Sequence, residues 1–198
     1  MRAWLAPMIA GALALTAAGC SSEGGAPNPM GVLGKEDAPV KVIEIASMSC
    51  GHCAHFNNTE LPKLKAKYID TGKVRWEMRE MLTPPNELSA AGFLLARCAG
   101  KERYFAVVDA MYHNLEAIGQ DQRNGLLNIA RSIGMTDADF DKCITDEGEL
   151  KALTERVEKN APMLHTGTPT FWIDGKKHTG QPTAEELTKL IDAALAKS

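Results

Sequence analysis

Two cysteines two residues apart, in Cys50-Gly51-His52-Cys53, stand where the apolar run Val40-Lys41-Val42-Ile43-Glu44-Ile45-Ala46 gives way to a helix-like stretch. At a strand-to-helix turn such a pair closes a disulfide on the first helical turn, with Cys50 at the helix N-terminus. That end carries roughly half a positive charge and unpaired N–H groups, so it favours Cys50 as thiolate over thiol. A thiolate of low pKa is a good leaving group, which makes the oxidised pair reactive. The segment therefore reads as a redox switch on an α/β framework.

The rest of the chain is organised around that turn. Val40 to Ala46 is apolar on both faces apart from Lys41 and Glu44, as a central parallel strand is. Cys50 to Tyr68 reads as a helix that Pro62 kinks and Thr71-Gly72 ends. Lys73 to Met81 alternates, with Val74, Trp76 and Met78 on one side and Arg75, Glu77 and Arg79 on the other, which suits an edge strand. Strand, helix and strand make a βαβ unit over residues 37–83.

Pro84-Pro85 stops that unit, and residues 84–162 change to helical periodicity in five stretches: Asn86 to Ala99, Lys101 to Asn114, Gln122 to Ile133, Thr136 to Thr145 and Glu149 to Asn160. Thr136 with Asp139 is a capping pair. Residues 163–198 return to strand character. Thr168-Pro169 precedes Thr170-Phe171-Trp172-Ile173, Asp174-Gly175 is a hairpin turn, and Thr183-Ala184-Glu185-Glu186 is a capping box opening a final helix.

Residues 1–19 have the form of an export signal, with Arg2 followed by an Ala-rich apolar stretch and small residues before Cys20. The stretch is shorter than the roughly 18 to 20 residues that span a bilayer. Small residues directly before a cysteine resemble a bacterial lipobox, which makes Cys20 a lipidation site, although Ala17 stands where such signals usually carry Leu. The alternative is ordinary cleavage near Ala18. Residues 20–36 have linker composition, with an expected reach of about 20 Å.

The chain has 198 residues, room for one domain with an insertion, and its net charge of −3 without a sustained basic stripe excludes a nucleic-acid footprint. Setting Cys20 apart from the five cysteines leaves an even number in a chain read as exported. Two disulfides fit. Cys50 pairs with Cys53 by proximity and Cys98 with Cys143 by elimination, the latter two being otherwise buried free thiols.

The order of strand, C-x-x-C, helix, strand, helical block, Thr-Pro, hairpin and helix resembles the DsbA-like proteins, which have a thioredoxin fold with an inserted helical subdomain. The resemblance covers about Ala38 to the C-terminus. It implies a thiol:disulfide oxidoreductase of the bacterial periplasm, in which Cys50 is the exposed nucleophile and Cys53 its buried partner. His52 and Glu44 are the expected tuning residues, the first favouring the thiolate and the second assisting proton movement to Cys53. Thr168 and Pro169, the position of the family's cis-proline, are expected to meet the client. A disulfide between Cys98 and Cys143 also resembles some alphaproteobacterial members.

The resemblance further implies exported polypeptides with thiols as clients, a membrane partner of the DsbB type, a monomer, and no cofactor beyond the redox-active disulfide. The direction of exchange is less determined. Gly51-His52 departs from the Pro-His of typical DsbA oxidases and looks like the pair in protein disulfide isomerase, and Thr168 is common in reductive isomerases. Potentials of these two types differ by about 60 mV, or roughly 2.8 kcal/mol. The oxidase direction is preferred because residues 20–36 are too short for the dimerisation domain that periplasmic isomerases usually carry. A copper- or zinc-binding chaperone using Cys50 and Cys53 is a third reading, from the spacing of Cys50, His52, Cys53 and His55. His113, His165 and His178 read as structural or surface residues.

Overall fold

The computed structural model describes Met1 and residues 30–164, 166–180 and 182–198. Cys20 and His165 lie outside the described residues, as does nearly all of the expected signal segment. Among the described residues, five strands form one sheet, β1 (Val32–Leu33), β2 (Val40–Ala46), β3 (Val74–Glu80), β4 (Thr170–Ile173) and β5 (Lys176–Thr179), in the order β1-β3-β2-β4-β5. Only β2 and β3 run parallel, with Val42 opposite Trp76 and Glu44 opposite Met78; the other pairs are antiparallel.

Strand β3 is not the edge that its alternation suggested. Val32 and Leu33, at the end of the segment read as a linker, pair with Glu77 and Trp76 and cover it. Gly34 makes this approach tolerable, because its φ is +85° and a β-carbon there would collide with the Val74 carbonyl. The charges on the outer face of β3 are paired laterally: Arg75 with Glu36 at 3.1 Å and Glu77 at 2.7 Å, and Arg79 with Glu77 at 2.6 Å. A charged strand face thus marks a lateral ion-pair ladder here, not an unpaired edge.

After the active-site turn, α1 (Gly51–His55), a π-helical turn (Phe56–Glu60), α2 (Leu61–Leu64) and a second π-helical turn (Lys65–Ile69) follow one another without a break. Pro62 does not interrupt this rod. It falls in the first turn of α2, where its missing N–H is harmless, and the turn before it widens so that the Leu61 N–H reaches Phe56 O. Val40, Val42, Val74, Trp76, Phe171 and Ile173 of the sheet pack with Phe56, Leu61, Leu64 and Tyr68 of the rod and with Leu187 and Ile191 of the last helix.

The helical block consists of α3 (Asn86–Cys98), a 3-10 turn (Lys101–Arg103), α4 (Tyr104–His113), α5 (Leu115–Gln120), α6 (Gln122–Ser132), α7 (Asp137–Ile144) and α8 (Glu147–Asn160). Helix α5 has no counterpart in the sequence expectation, since six residues are too few to show a period. Its Ile118 is nonetheless buried in the core. Helix α8 starts two residues before the expected Glu149, with Gly148 inside its first turn. Thr136 caps α7 through the Asp139 N–H as expected.

A second apolar core joins this block to the active-site turn. Ala46, Met48, Cys53 and Ala54 pack there with Leu88, Phe93, Leu95, Val107, Met111 and Phe140. Gly92 permits the close contact, because a β-carbon on it would stand 3.0 Å from Met48 Cβ and 2.8 Å from Met111 Cε. Buried Glu80, at the end of β3, is held by Arg97 Nε and Arg156 Nε, both at 2.5 Å, and so ties the sheet to α3 and α8.

A short 3-10 turn (Ala161–Met163) leads back to the sheet. Asp174 and Gly175 both have positive φ, 47° and 77°, the backbone of a type I′ hairpin turn between β4 and β5. Helix α9 (Ala184–Leu195) opens with the capping box of Thr183 and Glu186.

Candidate active site

Strand β2 ends at Ala46, and Ser47-Met48-Ser49 carry the chain to Cys50, the N-cap residue of α1. The Cys50 N–H is held by Ser47 O at 3.1 Å. Its backbone is extended and its sulfur turns back over the helix, accepting the Cys53 N–H at 3.4 Å. This is the ordinary N-cap geometry with sulfur in place of oxygen. Cys53 lies within α1 and is fully buried, whereas Cys50 is half-buried. Both are free thiols in this structure.

The two sulfurs are in opposite electrostatic states. The Cys53 thiol, as a hydrogen-bond donor, is the largest influence on Cys50 and lowers its pKa to about 5 against the opposing effect of partial burial. The Thr168 hydroxyl and the peptide N–H groups of Cys53 and His52 add to the lowering. Burial pushes the Cys53 thiol well above the ordinary cysteine range, and the negative charges of Cys50 and Glu44 push it the same way. The pair therefore shares a single proton unequally, with Cys53 holding it and Cys50 ionised.

Strand β4 brings the second wall of the site. Thr170 pairs with Ile45 of β2, and Thr170 Oγ1 donates to Gly167 O at 2.7 Å, which folds residues 167–169 across the end of β2. Thr168-Pro169 is a cis peptide, and Thr168 O stands 3.3 Å from Cys50 Sγ. In the thiol form Cys50 donates to that carbonyl; in the thiolate form the Thr168 hydroxyl donates to the sulfur.

Glu44 lies on β2 two residues before its end and is 4% exposed. Burial raises its carboxyl to about 7, opposed by a hydrogen bond from Trp76 Nε1 to Glu44 Oε2 at 3.1 Å and reinforced by the Cys50 charge. Trp76 is fixed by Phe56 and Phe171, whose ring centroids lie 5.9 Å from its own. A carboxyl that titrates near neutrality within electrostatic reach of a buried thiol of high pKa is suited to exchanging a proton with it.

His52 and Gly51 are exposed on the first turn of α1. What His52 brings to Cys50 is its peptide N–H, and its imidazole makes no hydrogen bond or ion pair among the described residues. A side chain at position 51 would meet nothing within 4 Å, so glycine is not required there by packing. His55 is also exposed, and no group of three or more His, Cys, Asp or Glu side chains among the described residues is placed to hold a metal ion. His113 contacts Asp109 O through Nδ1, and His178 belongs to β5.

Several contributors were not visible in the sequence. Trp76 read only as part of an apolar strand face, and Tyr112, Ser47, Ser49, Thr83 and Ser89 carried no motif at all. Pro84-Pro85, read as a stop signal, is a second cis peptide and follows Thr83, which bonds to Ser47. Away from this site, Cys98 at the exposed end of α3 is bonded to buried Cys143 of α7, with an S–S distance of 2.08 Å and Cα atoms 6.1 Å apart.

Comparison with known proteins agrees with this architecture. The family described as Thioredoxin matches residues 27–193. A Rickettsia bellii relative, named provisionally as a protein-disulfide oxidoreductase, is 31% identical over 176 residues, covering 84% of this chain and 65% of its own. The chain thus spans just under two thirds of the length of that relative. The disulfide bond formation protein D of Bacillus subtilis is 26% identical over 177 residues, covering 83% of this chain and 76% of its own. The crystal structure of alpha-DsbA1 from Wolbachia pipientis superimposes with a TM-score of 0.78 at 28% identity, covering 86% of this chain and 94% of that one. With the C-x-x-C at the N-terminus of α1, the cis-proline loop against it and a helical block inserted between β3 and β4, the chain belongs to the thioredoxin family and has the fold of its DsbA-like members.

Proposed function

We propose that this protein is a thiol:disulfide oxidoreductase that forms disulfides in exported polypeptides. The observation that carries the reading is the asymmetric pair: a half-buried Cys50 whose ionised form is stabilised at a helix N-terminus, beside a buried Cys53 that keeps its proton. The names of the relatives support thiol-disulfide exchange as the reaction class.

In the oxidised protein a client thiolate attacks Cys50 Sγ. The client–Cys50 bond forms, the Cys50–Cys53 bond breaks, and Cys53 leaves as a thiolate that Glu44 in its protonated form supplies with a proton. A second client thiolate then attacks the client sulfur of the mixed disulfide and releases Cys50 as its stabilised thiolate. The client loses two electrons and the protein gains them. Thr168 O and the backbone around Pro169 stand where an extended client segment would lie beside the sulfur. Because the lowered pKa of Cys50 stabilises the reduced state, it makes the disulfide more oxidising, which favours this direction over isomerisation.

The export signal expected at residues 1–19 supports a periplasmic location, and the lipobox-like approach to Cys20 supports a lipid anchor there. No helix among the described residues is long and apolar enough to cross a membrane. Reoxidation falls to a quinone-linked membrane partner of the DsbB type. The isomerase or reductase alternative draws on Gly51-His52 and Thr168. Oxidative refolding of a reduced client beside an insulin-reduction assay separates the two: fast refolding with slow insulin reduction is expected, and the reverse order of rates contradicts the oxidase reading.

A further inference from the structure

Ser47, the residue between β2 and the active-site turn, is fully buried, and its polar atoms engage several segments at once. Its Oγ lies 2.7 Å from Ser89 Oγ on α3, 2.9 Å from Thr83 Oγ1 and 3.3 Å from Ser49 Oγ, and accepts the Thr83 N–H at 3.2 Å. Its carbonyl accepts the Tyr112 hydroxyl of α4 at 3.0 Å and the Cys50 N–H at 3.1 Å. Its peptide N–H faces the Cys53 sulfur. The Ser47 backbone thus holds Cys50 and faces Cys53, while its side chain is held mainly from outside the turn.

We propose that Ser47 is a positioning residue for the redox pair, through which the Thr83 loop and helices α3 and α4 hold the Cys50–Cys53 turn in register. The proposal deepens the thiol-disulfide exchange reading and rests on it. A serine that only satisfied its own turn would need one partner, whereas this hydroxyl has four contacts from three segments. Ser49 repeats the attachment, donating to Thr83 O at 2.7 Å and lying 3.1 Å from Thr83 Oγ1. Met48, between the two serines, is clamped by α3 at Gly92. Residues 47–49 are therefore fixed by polar contacts on one side and by apolar packing on the other. A buried network of this kind loses directionality at every member when one member is removed.

The ligand-free test is Ser47→Ala, read by the thiolate absorbance of Cys50 and by equilibration of the Cys50/Cys53 pair with glutathione. The titration is expected to rise from about 5 toward the ordinary cysteine range. The glutathione equilibrium is expected to move about fivefold toward the disulfide, the effect of weakening one hydrogen bond. Ser89→Ala, which removes a hydroxyl that touches Ser47 but neither cysteine, moves both readouts the same way by a smaller factor and decides the matter if Ser47→Ala does not fold. Lowered thermal stability in either folded variant, with titration and equilibrium unmoved, overturns the proposal and assigns Ser47 to packing alone. If the unaltered protein fails to equilibrate with glutathione, the exchange reading fails instead, and the Cys50 titration still tests Ser47.

Discussion

Cys50 Sγ and Thr168 O lie 3.3 Å apart although 118 residues separate them in the chain. The contact is made by the sheet: β2 delivers Cys50 and antiparallel β4 delivers Thr168 to the same end. It places a backbone acceptor beside the Cys50 sulfur.

The Cys50 charge should be directly visible. The thiolate absorbance of the reduced protein is expected to titrate at about pH 5, well below an unperturbed cysteine. Its folded pKa is depressed, so the stabilisation of the reduced fold is full above the unfolded cysteine pKa and is lost as pH falls through about 5. Denaturant unfolding of the reduced and oxidised proteins across that range should show the reduced form losing its advantage toward acid pH.

Glu44 behaves with the opposite sign. Its folded pKa is raised to about 7, so the stability of a neutral carboxyl is fully present below the unfolded Glu value and is lost as pH rises through neutrality. Glu44→Gln keeps an acceptor for Trp76 Nε1 and removes the buried charge. It is expected to stabilise the protein by about 3 kcal/mol at alkaline pH and to change nothing at acid pH, as read from urea unfolding. It should also slow formation of the client–Cys50 mixed disulfide, because the proton donor for the departing Cys53 thiolate is gone.

The bond between Cys98 and Cys143 closes a loop with a sequence separation of 45. By loop-closure entropy its removal in a Cys98→Ala/Cys143→Ala variant is expected to cost about 4 kcal/mol. The loss should appear as a lower urea midpoint, while the Cys50 titration stays where it was, since neither α3–α7 cysteine touches the site.

Much of this arrangement was legible in the sequence because it is local. The position of Cys50 at a helix start, the Asp174-Gly175 hairpin and the Thr183–Glu186 capping box each depend on residues a few places apart. Glu44 was singled out by the resemblance to DsbA-like proteins, and it is buried on β2. What could not be read depends on lateral partners. The charges of β3 pointed to an edge until Arg75, Glu77 and Glu36 were seen to pair. Val32-Leu33 is too short for a strand to announce itself, and α5 too short for a helix. Trp76 gave no sign of holding Glu44, because its N–H is aimed by aromatic packing against Phe56 and Phe171. Ser47 gave none either: its partners lie two, 36, 42 and 65 residues away, at Ser49, Thr83, Ser89 and Tyr112.

The most direct test of disulfide formation as the preferred direction is the equilibrium of the Cys50/Cys53 pair with reduced and oxidised glutathione at neutral pH. A stabilised Cys50 thiolate predicts a readily reduced disulfide, with a potential closer to the about −120 mV of DsbA than to the about −270 mV of thioredoxin. A value at the thioredoxin end would contradict the account, because a pair that holds its disulfide so firmly does not donate it to clients.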